Sequence, residues 1–150
     1  MTEQVFILSP VDIDAITAFE MRRLESTHSD PMEREMASWH ARWRKESLEF
    51  YLPQGWSFGF KLGTQLEGYF LAQPFLYFRG LTQTLWIEQL SFTSEEVGVK
   101  LIETAFKWAK DKHLQTVVFA DATNLDFARA KFPKFTALND KMAELKSARI

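Results

Sequence analysis

From Thr84 to Ala120 the sequence changes hydrophobic period twice. TLWIEQLSF (84–92) alternates like a strand, the stretch from Val97 to Ala109 spreads apolar residues around most of a helix, and QTVVFA (115–120) is a short β-branched and aromatic run. Strand, helix and buried strand in that order imply a crossover joining two parallel strands. The fold class this segment points to is α/β.

The flanking residues add the other layers. Gln4 to Leu8 forms a first short strand. Ser9-Pro10, with Asp12 behind it, opens a helix running to about Glu25. Asp30-Pro31-Met32-Glu33 repeats that entry and starts a helix carrying Met32, Met36, Trp39, Trp43 and Phe50 at mostly three- and four-residue spacing. This stripe suits the core, a cleft wall or a partner interface. Leu52 to Gly55 is a turn; Trp56–Leu62 and Leu66–Leu76 are strands joined at Gly63-Thr64; Arg79-Gly80 reverses the chain into the strand at 84–92. These three make an antiparallel meander. Beyond Ala120, a helix from Asn124 to Lys131 leads into a strand at Phe135–Leu138, and KMAELKSARI at the end is mildly helical. Neither a repeat nor a boundary interrupts residues 1–150, so a single domain is expected.

Composition removes several chemistries. No cysteine is present, which excludes disulfides, thiolate catalysis and cysteine-based metal sites. His28, His40 and His113 are too far apart in sequence for a zinc motif, so no metal is expected. A formal charge of −2 gives no general attraction to nucleic acid. Arg42, Arg44 and Lys45 beside Trp39 and Trp43 read as a solvated helix edge. MTEQVFILSP lacks a signal-peptide core and no window is long and apolar enough to span a bilayer, so a soluble cytoplasmic protein without membrane contact is expected.

The element order (strand, two helices, three antiparallel strands, helix, strand, helix, strand) resembles the GCN5-related N-acetyltransferase (GNAT) fold, most sharply at IEQLSF…VGVKLIETAFKWAKDKHLQTVVF, residues 87–119. The resemblance implies a mixed sheet with antiparallel N-terminal strands and a parallel central pair, flanked by helices. It also implies acetyl-CoA in the opening between the fourth and fifth strands, with a small amine as acceptor. Coenzyme contacts then fall on Leu90, Ser91 and Phe92 in the strand, on Thr93, Ser94, Val97 and Gly98 at the helix entry, and on Asn124 and Lys131 beyond the fifth strand. Two departures stand out. Glu96 occupies the place of the family's first phosphate-loop glycine, and no tyrosine lies in ARAKFPKF, where the family carries one for the leaving thiolate. Thr93 with Glu96 makes a capping box instead, and Gly98 serves either a modified coenzyme site or close packing.

Glu88 is the candidate catalytic residue. Simple alternation puts Trp86, Glu88 and Leu90 on one face and Leu85, Ile87 and Gln89 on the other. A carboxylate inside an apolar strand needs a partner or a wet cleft, so Glu88 is either a general base toward an ammonium substrate or a structural hydrogen-bonded glutamate. Tyr51, Tyr69 and Tyr77 line the acceptor side or pack the core. Asp121 or Thr123 contacts a ligand or caps the next helix. The function expected is acetyl-CoA-dependent N-acetyl transfer to a small amine; the alternative is a non-catalytic relative that binds another ligand or forms a homodimer through aromatic surface.

Overall fold

The computed structural model describes residues 2–78 and 82–147, with side chains at all of these except 76–78 and 82. Its strands are β1 (Glu3–Ile7), β2 (Phe58–Leu62), β3 (Gln65–Phe78), β4 (Thr82–Phe92), β5 (Thr116–Phe119), β6 (Phe135–Ala137) and β7 (Ala143–Lys146). They form one sheet in the order β1-β2-β3-β4-β5-β7-β6. Among these strands β4 and β5 run parallel and every other neighbouring pair runs antiparallel. The helices are α1 (Ile13–Thr27), α2 (Pro31–Trp39), α3 (Lys45–Tyr51), α4 (Glu95–Asp111) and α5 (Asp126–Lys131).

Two cores sandwich the sheet. In one, Leu101, Ile102 and Ala105 of α4 pack on Phe70, Ala72, Leu85 and Ile87. In the other, Ile16 and Phe19 of α1 and Leu48 and Tyr51 of α3 pack on Tyr69 and Leu71. Consecutive β3 residues therefore serve opposite cores, which is why that strand is apolar at nearly every position from 69 to 72. A fully buried Phe or Leu contributes roughly 1.5–3 kcal/mol, so both layers matter to stability. Gly68 sits where β3, β4 and α4 converge: a Cβ there would lie 2.8 Å from both the Ser91 carbonyl oxygen and the Val97 side chain.

α4 is the crossover that the hydrophobic pattern demands, and its ends are well specified. Ser94 caps it by accepting the Val97 N–H at 3.4 Å. At the other end His113 adopts φ 60°, the Leu114 N–H reaches the Ala109 carbonyl at 2.8 Å, and the His113 N–H reaches Lys110 at 3.1 Å. That pair of bonds is a Schellman closure with histidine where glycine is usual.

Five sequence expectations change. The helix expected to run through Trp39, Trp43 and Phe50 is two helices separated by a turn at 40–44. Trp43 leaves the stripe and enters the α1/α3 core, whereas Met32, Met36, Trp39 and Phe50 are exposed. The Thr93–Glu96 capping box is absent, because the Thr93 hydroxyl donates to the Glu67 carboxylate at 2.9 Å and Ser94 takes over the cap. Within the terminal segment, residues 143–146 form a strand rather than a helix, since β7 fills the place beside β5 and satisfies its open edge. The helix expected from Asn124 begins at Asp126. The alternation of β4 breaks at Glu88, as described below. The Arg79-Gly80 reversal lies outside the described residues.

Candidate active site

The site is built on an irregularity in β4. Leu71 of β3 pairs with Gln89, but the next residue, Ala72, pairs with Ile87. Glu88 is the extra residue of a β-bulge, and it resets the side-chain alternation. Leu85 and Ile87 before it, and Leu90 and Phe92 after it, all pack toward the α4 core. Gln89 and Ser91 face α1 instead, where both side chains reach Glu20. Leu90 thus changes sides relative to the alternation expected from sequence, and Gln89 does too.

At the same point β4 and β5 part. Their pairing ends at Ile87 with Phe119, closed by the Ala120 N–H on the Ile87 carbonyl at 2.9 Å. β4 continues to Phe92, while the chain after Ala120 turns away toward Lys141. The Phe92 carbonyl faces the resulting gap, where it accepts from Arg23 Nη1. Because N–H and C=O of one strand residue point the same way and alternate along the strand, the backbone groups of Leu90 share that open edge. A cleft of about 650 Å³ occupies the gap. Its wall includes Glu20, Arg23, Gln89 to Thr93, Asp121 and Asn124.

Glu20 is the buried charge of this cleft, 4% exposed. It accepts from the Tyr69 hydroxyl at 3.1 Å, the Ser91 hydroxyl at 3.0 Å and the Gln89 amide at 3.3 Å, with Arg23 Nε at 3.5 Å. Burial raises its carboxyl above the ordinary value, working against the lowering effect of those donors and Arg23. Tyr69, fully buried beside it, is pushed well above the usual phenol range by burial and by the Glu20 charge.

Glu88 is partly exposed and held from three directions. Trp86 Nε1 donates to Oε2 at 2.8 Å, the Tyr51 hydroxyl to the same oxygen at 3.3 Å, and Arg42 Nη1 lies 3.6 Å from Oε1. Arg42 Nη1 also donates to the Glu88 backbone carbonyl at 3.3 Å. Tyr51 is pushed up to about 12 by burial first and then by the Glu88 charge, so it remains a hydrogen-bond donor at neutral pH.

The other sequence candidates separate into groups. Ser91 and Phe92 line the cleft with Leu90, and Thr93 and Asn124 stand at its rim. Val97 and Gly98 are buried behind it. A Cβ on Gly98 would lie 2.9 Å from Phe127 and 3.2 Å from Phe92, two rings in edge-to-face contact at 5.6 Å, so this glycine admits aromatic packing between α4 and α5. Ser94 is exposed beside the cap it makes, and Lys131 is exposed at the end of α5, outside the cleft wall. Glu96 borders a separate recess with Glu3 and Lys100. Asp121 accepts the Thr123 N–H at 3.0 Å and hydroxyl at 2.7 Å, closing a local turn rather than capping α5. Burial would raise its carboxyl, but those two donors, then Arg42 and Lys141, hold it below the usual range. Tyr77 has no described side chain. Among the described residues no group of three or more His, Asp or Glu is placed to hold a metal ion, and no helix is long and apolar enough to cross a membrane.

Sequence reading missed Glu20, Arg23 and the role of Arg42. Glu20 had a signal: it follows Ile13 and Ile16 on the apolar stripe of α1, where an acid must find partners. Arg42 had none, because its partner lies 46 residues away on another element.

No protein-family model matches the sequence, and no curated protein is similar enough in sequence to match it. Its structure, by contrast, is similar to several solved acetyltransferases. The PaiA N-acetyltransferase of Thermoplasma acidophilum, in complex with coenzyme A, superposes with TM-score 0.70 at 16% identity, over 97% of this chain and 99% of that one. A GNAT family acetyltransferase of Brucella melitensis, in complex with acetyl-CoA, gives 0.65 at 15% identity over 99% and 90%. N-acetylglutamate synthase of Neisseria gonorrhoeae, complexed with coenzyme A and N-acetyl-glutamate, gives 0.71 at 13% identity, over 99% of this chain and 36% of that one. With the mixed sheet, the bulged fourth strand and the parting of β4 from β5, these superpositions establish that the chain has the fold of the GCN5-related N-acetyltransferases.

Proposed function

We propose that this protein is an N-acetyltransferase that uses acetyl-CoA and acts on a small amine. The observation carrying that reading is the coincidence of three features at one point: β4 and β5 part after Ile87, the freed edge of Leu90 and Phe92 borders a cleft of about 650 Å³, and the bulge at Glu88, the next residue of β4, turns Leu90 to the α4 side. An extended pantetheine arm, which carries amides, suits an open strand edge.

Fit differs along the cleft. The edge at Leu90 to Phe92 suits the arm. The phosphate end has no glycine-rich nest: Ser94 already accepts the Val97 N–H, and Gly98 is committed to Phe92 and Phe127. Positive charge comes instead from Arg23, across the gap on α1, with Thr93 and Asn124 offering hydrogen bonds at the rim.

When bound, acetyl-CoA supplies the acetyl group: the amine nitrogen forms the new C–N bond, the C–S bond breaks, and the thiol and one proton are released. The chain's residues prepare this. Glu88 accepts a proton from the incoming ammonium, directly or through water; the Trp86 and Tyr51 donors on Oε2 and Arg42 at 3.6 Å from Oε1 hold the carboxylate in position. The Leu90 backbone N–H is a donor for a developing oxyanion.

Calorimetric titration with acetyl-CoA and coenzyme A, followed by thiol release with a panel of amines, tests the reading. Saturable binding of both and amine-dependent thiol release support it; no heat of binding to either refutes it.

A second reading, a binding protein that self-associates, is supported by the exposed Met32, Met36 and Trp39 on α2, with Phe50 on α3 also exposed. Sedimentation of the natural chain against Met36→Glu tests it: a dimer lost on substitution supports it.

A further inference from the structure

Beside the coenzyme cleft lies a second recess of about 490 Å³, between the α2–α3 turn and the β6–β7 hairpin. Arg42, Trp86, Ala120, Lys141 and Met142 line it. Ala120 is the first residue beyond the β4–β5 pairing, and its neighbour Asp121 lines the cleft, so recess and cleft adjoin along the chain at the parting.

We propose that this recess binds a small amino-carboxylate with an apolar side chain, its carboxylate on Arg42 and Lys141 and its ammonium toward Glu88; the proposal rests on the acetyltransferase reading and names its acceptor. Charge arrangement is the first argument. Arg42 and Lys141 are the cations of the recess, Asp140 is its acid, Glu88 is paired with Arg42, and Asp121 lies within electrostatic reach of both cations. A simple ammonium meets two cations here, and a simple carboxylate meets the acids. A zwitterion satisfies both sets.

Unused bonding capacity is the second. Arg42 engages Glu88 through Nη1 alone, at 3.3 Å and 3.6 Å, distances longer than those of a bidentate pair, and its other nitrogens make no hydrogen bond or ion pair with a described residue. The Lys141 ammonium has no ion-pair partner among the described residues. Its position is nevertheless built: Asn139 Oδ1 accepts the N–H groups of Lys141 at 2.9 Å and Met142 at 2.8 Å, fixing the hairpin turn. Trp86 and Met142 supply an apolar wall. On binding, the ligand carboxylate draws Arg42 from Glu88 Oε1 and leaves that oxygen free for the ammonium.

The test compares leucine, methionine and phenylalanine, each with its decarboxylated amine, by calorimetry on the natural protein, Arg42→Gln and Lys141→Gln, with coenzyme A binding measured on the same samples. At least one amino acid is expected to bind tenfold or more tightly than its amine, and each substitution is expected to erase most of that preference. Equal or tighter binding of the amines, no binding of either class, or a preference surviving both substitutions overturns the proposal. Coenzyme A binding together with amine preference removes the proposal and leaves the transferase reading standing. Amino-acid preference without coenzyme A binding does the reverse, keeping the recess and removing the reaction.

Discussion

The indole N–H of Trp86 donates to the carboxylate of Glu88, two residues along the same strand, at 2.8 Å. Residues two apart on one strand share a face with backbones roughly 6–7 Å apart, so a long ring can just reach a neighbouring carboxylate. The bulge then prevents the pattern from continuing, because the next side chain on that face is Gln89 rather than Leu90. One carboxylate oxygen of Glu88 thus carries both neutral donors, Trp86 and Tyr51, while the other faces Arg42.

Replacing that carboxylate separates proton acceptance from binding. Glu88→Gln is expected to reduce kcat/KM by about 100-fold or more while leaving acetyl-CoA affinity within a factor of two or so. The residual rate should climb with pH as the free-amine fraction of the acceptor grows. A variant that retains the natural rate at neutral pH removes Glu88 from the chemistry.

Tyr51 carries a pH signature. Its folded value, about 12, lies above the ordinary 10, so its stabilising contribution is complete below pH 10 and is lost as pH rises through 12. The phenolate absorbance difference between the natural protein and Tyr51→Phe is expected to develop near pH 12. A difference centred on pH 10 would show Tyr51 free of Glu88 and of burial.

For Glu20 the sign is the same and the window lower. A carboxyl raised above 4.5 by burial favours the protonated folded state, so this contribution is present below pH 4.5 and declines as pH rises through the folded value. Glu20→Gln should flatten that decline in denaturant midpoints measured across the acid range. Glu20→Ala leaves the Tyr69 and Ser91 hydroxyls without their partner and is expected to cost about 3 kcal/mol or more.

His113 gives a stability prediction remote from the cleft. Its φ of 60° is left-handed backbone that a side chain adopts at a cost, and its side chain is exposed. His113→Gly keeps the Schellman bonds and is expected to stabilise by about 0.5–1 kcal/mol, after the greater unfolded-state freedom of glycine is counted. Thermal unfolding of the two proteins checks it; a lower Tm for the variant contradicts the assignment.

Hydrophobic period was enough to read the crossover. A strand, a broad helix and a short buried strand between Thr84 and Ala120 can bury their apolar faces together only as a parallel pair with a covering helix, and the resemblance drawn from that segment is the fold the structure has. The importance of Glu88 was also legible, because a charge within TLWIEQLSF must find partners wherever it lies.

The stripe Met32, Met36, Trp39, Trp43, Phe50 misled because periodicity records which residues share a face, not whether that face is covered; the turn at 40–44 buried Trp43 and left the others exposed. The terminal strand was hidden for a related reason: KMAELKSARI prefers helix locally, and only the open edge of β5 gives residues 143–146 a reason to extend.

By itself, then, the sequence determined what is local or periodic: the order of strands and helices around the crossover, the turns, and the presence of a charge in the central strand. Tertiary structure decided where the bulge falls, which side of β4 Leu90 and Gln89 occupy, and that Glu20, Arg23 and Arg42 converge on one cleft and its neighbour. The physical reason is range. Periodicity and capping act within a few residues, whereas a bulge depends on the register of two strands and an ion pair on elements 46 residues apart, which become neighbours only when both cores close on the sheet.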